Sequence, residues 1–123
     1  MANNNGNPLI ENCDALADEV LTWYEEQVQK KYYMHDIYNQ LVRSATSVGA
    51  NIAEAKFAQS DADYKSKMHI ALKEASESRY WIRHLIKAQS IEVTAGKTML
   101  GHLQEIINMI NSIVSPKRKE NAS

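Results

Sequence analysis

Lys67-Met68-His69-Ile70-Ala71-Leu72-Lys73-Glu74-Ala75-Ser76-Glu77-Ser78-Arg79-Tyr80-Trp81-Ile82-Arg83-His84-Leu85 decides the fold class. With its flanks it sets Tyr64, Met68, Ala71, Ala75, Ser78, Ile82, Leu85 and Gln89 at alternating steps of four and three. That is heptad spacing, which gathers the small and apolar positions on one stripe of a long helix. Ser60 stands where a helix N-cap belongs. Asp63 follows three residues later, a capping box with aspartate in place of the usual glutamate or glutamine.

The same rhythm continues outward. After Thr94, Met99, Leu103, Ile106, Ile110 and Ile113 form a fourth helix that Pro116 stops. Upstream, a second helix spans about Asp36 to Phe57, with Asp36 as its cap. Its seam is Ile37 or Tyr38, then Leu41, Ala45, Val48 and Ile52. Ser44, Ala45, Ser47, Gly49 and Ala50 crowd this helix with small side chains. Gly49 costs about 1 kcal/mol of helix propensity against alanine, so close approach of a neighbouring helix is the expected compensation. The first helix runs from Pro8, a first-turn proline capped by Asn7, to Lys30. Its stripe is Leu9, Cys13, Leu16, Val20, Trp23 or Tyr24, and Val28. Residues 31–35 read as a short loop. Residues 1–7 read as a disordered arm, 8–115 as the helical domain and 116–123 as a disordered basic tail. Long helices on short links predict an antiparallel, up-down-up-down four-helix bundle.

Composition agrees with one all-α domain. The chain has 123 residues, four glycines and two prolines, and both prolines lie near the ends. One cysteine, Cys13, excludes an intramolecular disulfide, and its place on an apolar stripe predicts a buried hydrophobe in a reducing compartment. No run is long and apolar enough to span a membrane, and residues 1–8 lack the pattern of an export signal, so a cytoplasmic location is expected.

The net charge of −1 conceals an uneven distribution. The first helix carries Glu11, Asp14, Asp18, Glu19, Glu25 and Glu26 before its first base, Lys30. The third carries Lys65, Lys67, Lys73, Arg79, Arg83 and Lys87 against four acids, and Lys117, Arg118 and Lys119 follow the last helix. Three readings stand side by side. The charges form solvated faces; or the acidic helix of one copy meets the basic helix of another, since the two occupy a diagonal of a square bundle; or Lys65, Arg79, Arg83, Lys87 and the tail bases Lys117, Arg118 and Lys119 hold nucleic-acid phosphates. Near-neutral overall charge is a weak footprint for the last of these.

No reaction is spelled out. No Glu-x-x-His pair occurs, so the di-metal site of some helical bundles is not expected. His35, His69, His84 and His102 show no ligand spacing. No glycine-rich phosphate loop or marked nucleophile is present. A non-enzymatic chain without cofactor or metal is the expectation. Arg43, Asn51 and Glu54 share one side of the second helix, and Glu74 and Glu77 lie beside the seam of the third. They predict a polar network that sets the register of the two helices, with Arg43 or Arg79 as the cation.

The stretch Gln40-Leu41-Val42-Arg43-Ser44-Ala45-Thr46-Ser47-Val48-Gly49-Ala50-Asn51-Ile52-Ala53-Glu54 resembles the second-helix signature of the 23S ribosomal RNA intervening-sequence protein family. Residues 67–81 are similar to that family's third helix. The resemblance covers roughly residues 9 to 115. It departs at Ala55, where the family often has glycine, which predicts a later turn, near Phe57 to Ser60. The first and last helices match only in pattern. The resemblance implies a four-helix bundle that assembles into a homopentameric ring, with no established biochemical role. It also implies kinship with the accessory proteins of diversity-generating retroelements, pentameric bundles that bind nucleic acid and a reverse transcriptase. The expectation is a ring-forming protein that contacts structured RNA or a nucleic-acid-processing protein. The alternative is an interaction scaffold with no nucleic-acid role.

Overall fold

The computed structural model describes residues 6–115. Lys117, Arg118, Lys119 and most of the expected N-terminal arm lie outside the described residues. Four helices follow in order: α1 (Pro8–Lys30), α2 (His35–Ala55), α3 (Asp61–Lys87) and α4 (Val93–Val114), with a short 3₁₀ turn at Tyr32–Met34 between α1 and α2. There is no strand among the described residues.

The helix starts follow local chemistry. Asn7 Oδ1 accepts from the N–H groups of Leu9 and Ile10, 3.1 and 3.2 Å away, and Pro8 occupies the first turn. Ser60 Oγ accepts from the N–H of Asp63 at 3.0 Å. Asp63 reaches back past the cap to the N–H of Gln59. Asp36 does not cap α2. The 3₁₀ turn feeds the helix directly, which begins one residue earlier with Met34 in the cap position and no side-chain bond. At its other end α2 stops at Ala55 rather than near Phe57. The N–H groups of Lys56, Phe57 and Ala58 bond three residues back, to Ala53, Glu54 and Ala55, which tightens the last turn.

One core runs the length of the fold. Leu16, Val20, Tyr38, Leu41, Val48, Ile82, Leu103, Ile106 and Ile110 are wholly excluded from solvent. Tyr38, not Ile37, faces inward, and Gln89 lies beyond the end of the α3 seam. Cys13 is buried; desolvation, aided by the neighbouring charge of Asp14, pushes its thiol up to about 12, so it packs as a hydrophobe. α1 packs on α2 and α4, and α3 packs on α2 and α4, which leaves α1 and α3 on a diagonal.

Small residues set the closest approaches. A Cβ on Gly49 would lie 3.3 Å from Cys13 Cβ, so glycine lets α2 close on α1. A Cβ on Gly96 would overlap Ile86 Cδ1 and sit 2.6 Å from its Cγ1, so the start of α4 rests against the end of α3. Between these two helices Gln89 takes φ 63°, the left-handed conformation usual at a helix end. The Ser90 and Ile91 N–H groups then bond the carbonyl of Leu85. Trp23 Nε1 donates to Ser90 O at 2.8 Å and Tyr38 OH to Ser90 Oγ at 3.1 Å. The rings of Trp23 and Tyr38 meet edge to face, 4.8 Å apart. One serine thus anchors α1, α2 and the α3–α4 corner.

Candidate nucleic-acid interface

The polar seam between α2 and α3 is simpler than the residue spacing suggests. Arg43 Nη2 donates to both Glu77 oxygens, at 2.9 and 2.8 Å, and its Nη1 reaches Glu74 Oε1 at 3.4 Å. Trp81 Nε1 donates to Glu77 Oε2 at 3.1 Å. Burial works against the charge of Glu77, but the hydrogen bonds from Trp81 and Arg43 and the charges of Arg43 and Lys73 outweigh it and hold the carboxyl below the usual range. The Glu77 hydrogen bond in turn raises the guanidinium pKa of Arg43. Beneath this cluster Ser78 Oγ meets Ser44 Oγ at 2.8 Å.

Asn51 and Glu54 stand apart from that network. Asn51 Nδ2 donates to Ser47 O on its own helix, and Glu54 pairs with Lys67 at 2.8 Å. The reason is axial distance. Eight and eleven residues of helix put them about 12 and 16 Å from Arg43, opposite a different part of α3. Arg79 does not join the cluster either; Arg43 supplies its cation.

This seam determines the electrostatics of α3. Its two central acids, Glu74 and Glu77, point toward α2 and are taken up by Arg43. The outer side exposes Lys65, His69, Lys73, Ser76, Tyr80, Arg83, His84 and Lys87 with no acid among them. From Lys65 to Lys87 the stripe is about 33 Å long. Lys65 is engaged by Asp61 one turn earlier, at 3.4 Å. Arg79 is half-buried, while Arg83 and Lys87 are exposed and hold no ion pair among the described residues. Tyr80 is 55% exposed, its ring 4.5 Å from that of His84. Charge counting along the chain finds the bases of this stripe. It misses Tyr80 and His84, whose signal is their seven- and four-residue spacing from Lys73, Lys87 and Tyr80.

The opposite side of the molecule is acidic. Glu11, Asp18 and Glu25 repeat every seven residues along the exposed face of α1. Asp18, Glu19, Glu26 and Glu92 line an open groove of about 680 Å³ between α1 and α4, floored by Trp23 and Met99. At its edge His102 bridges Asn12 Oδ1 (2.8 Å) and Glu19 Oε2 (3.0 Å), a contact that no short-range spacing announces. Among the described residues no group of three or more histidine, cysteine or carboxylate side chains could hold a metal ion, and no helix is long and apolar enough to cross a membrane.

This all-helical, four-helix fold with its polar α2–α3 seam has relatives. The family described as 23S rRNA-intervening sequence protein matches residues 9–112, and the chain belongs to it. A crystal structure from Bacteroides thetaiotaomicron, described as a protein with unknown function from the S23 ribosomal protein family, superposes with a TM-score of 0.80 at 32% identity. The match covers 88% of this chain and 99% of that one. Neither description names an enzymatic activity. Among curated proteins none matches.

Proposed function

We propose that this chain is a non-enzymatic, self-assembling antiparallel four-helix bundle that acts in the cytoplasm by binding structured RNA, alone or in a ribonucleoprotein, through the outer face of α3. The up-down-up-down order is supported for α2 and α3 by the pairing of residue 43 with 77 near one end of the seam and 54 with 67 near the other, so that one number rises as the other falls. The observation that carries the RNA reading is the separation of charge on α3. Glu74 and Glu77 are bound to Arg43 on the inner flank, and on the outer one Lys65 is engaged by Asp61 while Lys73, Arg83 and Lys87 hold no ion pair among the described residues. Beyond its Lys65 end such a stripe meets phosphates without competition from a carboxylate paired to it. Assembly into a homopentameric ring would repeat the stripe around the particle. The resemblance to the accessory proteins of retroelements belongs to the same reading.

The test is salt-dependent binding of a folded RNA by the full chain. Affinity is expected to fall steeply with salt, and the triple variant Arg79→Glu, Arg83→Glu, Lys87→Glu to abolish it. Retention of RNA that ignores both salt and the triple variant overturns the reading.

A second reading has its own observation. The acidic α1 face and the α1–α4 groove lie diagonally across from the basic α3 face, so they do not neutralise each other within one chain. In a scaffold without RNA, these two faces join successive copies head to tail, a contact that closes into a ring. Light scattering on Glu11→Lys, Asp18→Lys, Glu25→Lys separates the readings. Loss of assembly with RNA binding intact assigns the acidic face to self-association. A wild-type chain that is monomeric at micromolar concentration removes the ring from both.

A further inference from the structure

The connection between α1 and α2 places two aromatic rings in water. Tyr32 is 75% and Tyr33 80% exposed. They follow directly on Lys30 and Lys31, which hold no ion pair among the described residues. The Tyr32 ring lies nearly parallel to that of His35, with centroids 5.7 Å apart and planes at 14°. The α3 stripe ends at the same end of the molecule. Tyr38, one turn after this connection, bonds Ser90, which lies one turn after Lys87. Two otherwise separate features therefore lie at the same end of the fold: exposed aromatics that follow Lys30 and Lys31, and Arg83 and Lys87, with none of the four bases in an ion pair among the described residues.

From this juxtaposition we infer that this end of the molecule binds the unpaired nucleotides of a folded RNA, a loop or a single-stranded end. Tyr32 and Tyr33 are the stacking platforms, and Lys30, Lys31, Arg83 and Lys87 the phosphate contacts. The inference rests on the RNA reading above and names its substrate. A duplex presents phosphates but no free base faces, and it would leave both tyrosines unused. Unpaired bases stack on aromatic rings while a basic groove follows their backbone. A protein partner fits less well, because Lys30 and Lys31 directly precede the tyrosines and the cores of protein interfaces are depleted in lysine; the exposed carboxylate of this segment, Asp36, lies 3.2 Å from His35 Nδ1.

The test uses the full chain and two fluorescein-labelled RNAs read by anisotropy: a hairpin with an open single-stranded loop, and a blunt duplex of the same stem. The hairpin is expected to bind at least about fivefold tighter, the gain from stacking even one base. Tyr32→Ala with Tyr33→Ala should remove that advantage without changing the salt slope, and Tyr32→Phe with Tyr33→Phe should keep it. Arg83→Gln with Lys87→Gln should reduce the slope of log affinity against log salt by about 1.4. Both tyrosines are exposed, so these variants are not expected to disturb folding, and circular dichroism verifies that. Equal affinity for hairpin and duplex, or an alanine pair that binds like wild type, overturns the inference and leaves the broader RNA reading standing. Failure to bind either RNA overturns both. An alanine pair that changes only the oligomeric mass assigns the rings to a second copy of the chain and overturns the inference as well.

Discussion

Ser78 of α3 donates its hydroxyl to Ser44 of α2 across 2.8 Å, and neither side chain touches solvent. Ser44 in turn donates to the Leu41 carbonyl of its own helix, and Glu74 O, 2.9 Å from Ser78 Oγ, is the alternative acceptor for the single Ser78 proton. The pair lets two helices approach closely while leaving no polar atom unmatched. It also underlies the surface cluster, because Arg43 and Glu77 precede the two serines by one residue each and meet directly above them.

The serine pair should behave as a unit. Ser44→Ala or Ser78→Ala alone is expected to cost about 1 kcal/mol, and the double variant less than the sum of the two. Urea denaturation of the three variants gives the coupling; strict additivity would show that the hydroxyls act independently. Ser44→Leu should cost more than any of these, because the seam has no room for it.

Gly96 is held by Ile86. Gly96→Ala gains up to about 1 kcal/mol of helix propensity but drives a methyl group into the Ile86 side chain, an overpacking cost of about 1–3 kcal/mol. A net loss is expected from thermal melts. In the Ile86→Ala background the loss should shrink toward zero, since the overlapping atoms are gone and Ile91 Cγ2 at 3.3 Å is the next contact.

Gln89 adopts a conformation that glycine takes freely. Gln89→Gly should remove roughly 1–2 kcal/mol of strain and return about half of it to unfolded-chain entropy, so a modest rise in melting temperature is expected. Gln89→Val, with a branched Cβ, should lower it.

Glu77 makes stability depend on pH at the acid end. Its folded pKa lies below its unfolded value. Its contribution is therefore complete above the ordinary glutamate pKa, about 4.3, and is lost as the pH falls through the folded value. Glu77→Gln should flatten the acid limb of the stability curve while leaving the limb above neutrality unchanged. An unaltered acid limb would show that other carboxylates set it.

Much of the fold is legible from spacing, because burial follows periodicity. Met68, Ala71, Ala75, Ser78, Ile82 and Leu85 are buried in the heptad order that the sequence of α3 presents, and so are Met99, Leu103, Ile106 and Ile110 of α4. What spacing does not carry is the height at which two helices meet. Arg43, Asn51 and Glu54 share a side of α2, yet only Arg43 faces Glu74 and Glu77. Gly96 likewise reads as a helix weakness until Ile86 is placed against it. The basic stripe is half legible: its charges are countable, but the removal of Glu74 and Glu77 to the inner flank depends on the neighbouring helix. The tyrosines at 32 and 33 could have been core or surface, and only the course of the chain between α1 and α2 decides.

Ser90 makes the two later connections unequal in a way that protein engineering can use. The α3–α4 corner is fastened from outside by Trp23 and Tyr38, whereas the α2–α3 corner carries Phe57 at 84% exposure and is held by its own backbone turns and the Ser60 cap. New chain ends or an inserted reporter should therefore be accepted beside Phe57 and refused beside Ser90. A permuted chain opened at the first site, with the end of α4 linked to the start of α1, is expected to retain the fold.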